Sequence, residues 1–166
     1  MMFSRLRVTL AAATAAVGAV LFIAHASEWW GGLIPCALCL VERWPYRIGL
    51  GVGLVGLVLP RRLVRPFMLL FIAAMLAGTS AGVVHVGVEW KYWPSPLPEC
   101  RGPDLRGLSL AQRLAAMPER PSKPCDEPAY LFEGAPISMA EANLLFSLGN
   151  ALFVGGFLWF RRRDLT

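Results

Sequence analysis

Apolar residues run along this chain in blocks rather than in alternation with polar ones. Four blocks stand out, at 8–26, 46–59, 67–88 and 138–160. A helix that crosses a bilayer takes roughly 20 predominantly apolar residues, so each block is expected to be a span. The second is short, held between Arg47 and Pro60, and must recruit its flanks or sit in a thinned bilayer. Its glycines, Gly49, Gly51, Gly53 and Gly56, would weaken a soluble helix, but small residues let packed membrane helices approach closely. The pattern therefore predicts an all-α membrane protein. It is a single domain over residues 1–166, a four-transmembrane-helix bundle with outer loops over 27–45 and 89–137.

Composition points the same way, since 56% of the 166 residues are hydrophobic and only 16% charged, more apolar than a soluble core requires. The net charge of +5 raises nucleic acid as a partner. The arginines, however, stand in short groups beside apolar blocks instead of forming a basic stripe, so membrane lipid is expected and nucleic acid is not. Arg5 and Arg7, then Arg61, Arg62 and Arg65, then Arg161 to Arg163 fall on one side after an even number of crossings. By the positive-inside rule that side is the cytoplasm, with both termini. The segment 89–133 carries six Lys or Arg against seven Asp or Glu, lacks that retention signal, and is expected outside. The first block, ending in Ala24-His25-Ala26, also resembles a cleavable secretory signal, but such cores run about 7–15 residues. The longer apolar stretch here favours a retained span.

The second outer loop holds nine of the thirteen prolines, which fits an irregular chain. One short amphipathic helix is expected in it: Ser109 and Gln112 make a capping box, Leu110, Leu114 and Met117 repeat at helical spacing, and Pro118 stops the run. Such a helix suits the membrane surface. The glycines of GVGLVG lie inside an apolar block rather than after a strand, so they do not form a phosphate loop.

Chemistry enters with the cysteines, Cys36, Cys39, Cys100 and Cys125, all on the outer side. A C-x-x-C pair serves as a redox dithiol, as half of a zinc site, or in a disulfide framework. A zinc ribbon wants a second close pair, whereas Cys100 and Cys125 are far apart with no histidine beside them, so no metal is expected. An oxidising exterior favours disulfides, and four cysteines can pair in three ways. A bridge between Cys36 and Cys39 closes so small a ring that it is a poor staple and a better redox switch. If the chain turns helical after Pro35, Cys36 and Cys39 are i, i+3 and Cys39 and Arg43 are i, i+4, which puts both sulfurs and the guanidinium on one face. A nearby cation and helix amides favour the thiolate. Glu42 is available to orient Arg43, while Pro45 is expected to confine this geometry to a local turn. Arg47 reads as an interfacial anchor, Trp29, Trp30 and Trp44 as an aromatic belt. His85 is read as a satisfied intramembrane histidine, and Glu89 as an interfacial carboxylate paired with Lys91 or an arginine.

On "CALCLVER", "YWPSPLPEC", Cys125 late in the outer loop and the four-span plan, the chain resembles the DsbB family of bacterial inner-membrane disulfide-forming oxidoreductases. The resemblance implies periplasmic loops and a thiol:quinone oxidoreductase. Such an enzyme reoxidises a thioredoxin-fold dithiol oxidase of the DsbA type and passes electrons to ubiquinone or menaquinone. It implies that Cys100 meets the partner, that Cys125 is its resolving mate, and that Cys36 exchanges with Cys125. Cys39 is then left as the thiolate facing the quinone, with Arg43 as a quinone-site residue; the family's quinone site can include a histidine near the outer end of the third span, for which His85 is the nearest candidate beside its reading as a satisfied histidine. The vitamin K epoxide reductase family also couples a C-x-x-C to a quinone, but "WPSPLPEC" and the arginine after the C-x-x-C favour the first family. The reading from another class is a non-enzymatic membrane scaffold or transporter subunit with a disulfide-braced loop.

Overall fold

The computed structural model describes residues 2–101, 106–107, 109–115, 123–132 and 134–162. Among these the chain forms α1 (Met2–Trp29), α2 (Ala37–Val58), α3 (Arg61–Glu89), the short α4 (Leu110–Ala115) and α5 (Met139–Arg162), with no β-strand. The long helices pack in chain order, α1 on α2, α2 on α3 and α3 on α5, while α1 meets α3 and α5 more lightly. Short connections impose the first two of these pairings, whereas α3 and α5 pack although the long loop with α4 lies between them.

Leu6, Leu10, Ala13 and Val17 form one stripe of α1 and pack in a core with Tyr46, Val64, Met68, Phe71, Met75, Ala151 and Val154. The outward faces are as apolar as the core: Leu54, Val58, Leu69, Leu76, Leu145 and Phe153 are all exposed. A soluble bundle keeps polar residues there; helices apolar on every side match a hydrocarbon solvent. Among the described residues three helices are long and apolar enough to cross, over Arg5–Trp29, Arg61–Glu89 and Met139–Phe160. At 22 residues, α2 reaches about 33 Å at 1.5 Å per residue, but Glu42, Arg43 and Arg47 dilute its first half.

Two expectations about this helix change. It starts at Ala37 rather than near Tyr46, so the first outer loop shrinks from 27–45 to residues 30–36. It also runs straight through Pro45. Proline removes one backbone bond and crowds the preceding turn, costs that packed neighbours absorb in membrane helices. Here the neighbour is Gly78 of α3, where an added Cβ would already come within 3.4 Å of the Pro45 side chain. At Gly53 an added Cβ would collide with Thr14 of α1, so the α1–α2 contact depends on a bare backbone at that point.

In the outer loop the Ser109–Gln112 capping box forms as expected. Ser109 N–H donates to Gln112 Oε1 at 2.9 Å, and Gln112 N–H to Ser109 Oγ at 3.4 Å. Met117 and Pro118 lie outside the described residues. A second such box starts α5, where Ser138 N–H donates to Glu141 Oε2 at 2.8 Å and Glu141 N–H to Ser138 Oγ at 3.1 Å.

Candidate redox site

After α1 the chain turns at Gly32, whose φ of +66° glycine adopts at little cost. Past Pro35, Cys36 is extended at φ −80°, ψ 167° and caps α2, its sulfur accepting the Cys39 N–H at 3.1 Å. Sulfur here takes the place that a side-chain oxygen holds at an ordinary N-cap. The positive end of α2 favours negative charge on this sulfur whenever the disulfide opens. Cys36 and Cys39 form a disulfide with Cα atoms 5.1 Å apart, and Cys100 and Cys125 form a second with the same Cα spacing.

The two disulfides share one buried cluster. Cys36, Cys100 and Cys125 pack there with Leu38 and Val88, and Cys39 and Leu97 lie against them. An isolated parallel bridge joins Cys36 to Lys123, which holds the late outer loop, just ahead of Cys125, on the mouth of α2. The fold thus brings together all four cysteines. Cys100 is nevertheless only 5% exposed, although its neighbours Pro96, Pro98 and Glu99 are open to solvent.

Cys39 is half-buried and lines an apolar cleft of about 530 Å³ between α1, α2 and α5. Arg43, one turn further along α2, shares its wall, together with Leu21, Tyr46, Phe132 and Phe146. The shared face of Cys39 and Arg43 is as the spacing predicts. The orienting carboxylate is not: Arg43 pairs with Glu28 at the end of α1, which corrects the assignment of that role to Glu42. Adjacent residues leave a helix about 100° apart, so Glu42, which also borders the cleft, extends toward α3.

There Glu42 meets His85. Glu42 Oε1 lies 3.1 Å from His85 Nδ1, a close polar contact that is not aligned as a hydrogen bond. On the ring's other side His85 Nε2 lies 3.5 Å from Cys36 Sγ. Both residues are buried, His85 to 2% exposure. His85 is therefore in contact with the disulfide, beyond the satisfied-histidine reading. The sequence carried a signal, an ionisable group inside an apolar block, but not its partner, 49 residues away. Glu28 gave no signal at all. Glu89 is also corrected: it is buried and accepts the Ser138 hydroxyl at 2.6 Å, not a salt bridge to Lys91 or an arginine. Arg47 lies over the exposed Trp44, 5.5 Å from the ring centre, and Trp29 and Trp30 are exposed, as an interfacial belt requires.

The family model of disulfide bond formation protein DsbB matches residues 5–156 of this chain. An uncharacterised protein of Rickettsia prowazekii (strain Madrid E) is 28% identical over 142 residues, covering 85% of this chain and 81% of that protein. No solved structure matches the chain. With nearly its whole helical bundle and all four cysteines inside the matched region, the chain belongs to the DsbB family of disulfide-forming membrane oxidoreductases.

Proposed function

We propose that this chain reoxidises a soluble periplasmic dithiol protein of DsbA-like thioredoxin fold and passes two electrons to ubiquinone or menaquinone. Its place is the bacterial inner membrane, with four crossings and both termini in the cytoplasm. The observation that carries this reading is the two-sided setting of the C-x-x-C pair. Cys36 packs with the loop disulfide, while Cys39 and Arg43 line the apolar cleft.

Thiol–disulfide exchange proceeds by thiolate attack. A partner thiolate attacks Cys100, the Cys100–Cys125 bond breaks, and Cys125 leaves as thiolate. The partner's second thiolate displaces Cys100 and departs oxidised. Cys125 then attacks Cys36, expelling Cys39 as thiolate. Cys100 attacks Cys125, which restores the loop bridge and leaves Cys36 and Cys39 reduced, with two electrons transferred. Because Cys100 is buried, the first attack requires the segment around Pro96 and Pro98 to lift from the bundle.

The cleft fits a quinone. Its volume of about 530 Å³ lies within the roughly 300–1,000 Å³ usual for small-ligand sites, and its wall is apolar apart from a few polar groups, Arg43 and Glu28 among them. A bound quinone supplies the acceptor of two electrons and two protons, chemistry that no side chain provides. Arg43 contributes a fixed positive charge beside Cys39, and Glu28 holds it there.

The test is quinone reduction by the purified chain in detergent with reduced partner. Cys39→Ser is expected to abolish it, and reduction that survives the substitution refutes the route. Mixed instead with the oxidised partner, Cys125→Ser is expected to trap a disulfide between Cys100 and the partner, because the Cys100 thiolate opens the partner's own bridge and no Cys125 remains to resolve the product, whereas a static scaffold traps none.

A further inference from the structure

The mouth of α2 has a second chemical capacity. Cys36, Cys39 and His85 each offer a donor atom, and these atoms all lie within 4.8 Å of one another. In a tetrahedral zinc site, with Zn–S about 2.3 Å and Zn–N about 2.0–2.1 Å, a sulfur and a nitrogen stand about 3.6 Å apart. Cys36 Sγ and His85 Nε2 stand 3.5 Å apart. Two thiolates on such an ion lie about 3.8 Å apart, a modest opening of the reduced i, i+3 pair. Behind the histidine, buried Glu42 approaches Nδ1 at 3.1 Å. A carboxylate beside Nδ1 is the usual outer partner of a metal-bound histidine, and Nε2 is the nitrogen that faces Cys36.

The geometry points to a redox-gated metal site: once the Cys36–Cys39 disulfide is reduced, the two sulfurs and His85 Nε2 take up one thiophilic divalent cation of the zinc class, with an open fourth position. Reduction of the bond consumes two electrons and two protons, delivered by a dithiol. The cation then displaces two thiol protons as two metal–sulfur bonds form. While the disulfide is intact the sulfurs are bonded to each other and the site does not exist. The spacing argument against a zinc ribbon remains sound, because the third ligand comes from α3 through the fold and not from a second close pair. The inference rests on the proposed function only for the cellular source of reduced chain. Its consequence is that a bound cation holds the dithiol out of the exchange cycle until it is removed.

The experiment uses the full chain in detergent with Cys100→Ser and Cys125→Ser, so that loop thiols do not compete. Reduced with dithiothreitol and desalted without air, it is titrated with cobalt(II) alone and then with zinc(II). One cobalt per chain is expected, with thiolate-to-cobalt charge-transfer and tetrahedral d–d bands that zinc abolishes, and no such bands from the oxidised chain. Glu42→Gln should weaken binding about 10- to 100-fold, and His85→Ala by at least as much. Should His85→Ala lose its helical circular dichroism, Glu42→Gln and Cys39→Ser decide the matter. Equal bands from the oxidised chain, or undiminished affinity in the folded ligand variants, overturn the site. Quinone reduction by the unsubstituted chain, assayed apart, separates the two readings. Activity without cobalt binding sinks only the metal site, and cobalt binding without activity upholds the site and sinks the oxidoreductase reading.

Discussion

A guanidinium against an apolar wall is costly unless a carboxylate meets it. Glu28 meets Arg43, which keeps a positive charge beside Cys39 instead of letting it swing toward water. Glu28→Gln preserves the shape and removes the partner's charge, so Arg43 is held less firmly. For that variant kcat/KM for quinone is expected to fall about tenfold, or ~1.4 kcal/mol. Arg43→Gln should fall further, and the double variant no lower than Arg43→Gln alone, since the carboxylate acts through the arginine. A double-mutant cycle on quinone reduction measures this, and additive losses would contradict it. At this scale the sequence revealed what one helix contains: the common face of Cys39 and Arg43 follows from four-residue spacing. Glu28 and His85 stayed hidden because each reaches the site from another helix, and spacing along α2 carries no information about them.

The helices were legible as blocks, because a bilayer span needs a long apolar run whatever its packing. Their ends were not. Block boundaries track hydropathy, whereas α2 begins where Cys36 caps it, in a stretch that holds Glu42 and Arg43. Packing at the element scale yields two further expectations. Gly53→Ala drives a Cβ into Thr14, while Gly51→Ala enters open space. The first should cost about 1–3 kcal/mol as overpacking does and lower the melting temperature in detergent. The second should leave it unchanged, and equal effects would mean that α1 and α2 do not meet at Gly53. Ser138 both caps α5 and donates to Glu89. Ser138→Ala should therefore lose more than the ~1 kcal/mol of a cap alone, since a buried carboxylate also loses its hydroxyl donor. Ser138→Thr, which keeps the hydroxyl, should recover most of that loss in the same melts.

Over the whole molecule, polarity is divided between two ends. Arg5, Arg7 and the Arg61–Arg65 group lie at the end opposite both disulfides, a separation of charge from sulfur that could be read from the order of the apolar blocks. The meeting of the two cysteine pairs could not, because it depends on how a proline-rich loop folds back over the bundle. That loop is braced by a bridge between residues 25 apart, worth about 3.5 kcal/mol in the chain-entropy account, but the main helical core contains none of its described residues. Removing the bridge should thus loosen the loop and spare the bundle, which separates the two halves of the electron route. In a chain with Cys100→Ser and Cys125→Ser, quinone reduction driven by the soluble partner should drop to background. Reduction driven by dithiothreitol should persist, because half-buried Cys39 still exposes the Cys36–Cys39 bond to a small thiol. Loss of both would mean that the loop bridge holds the C-x-x-C site together, while persistence of both would mean that the partner reaches Cys36 or Cys39 directly and the loop cysteines are only a staple.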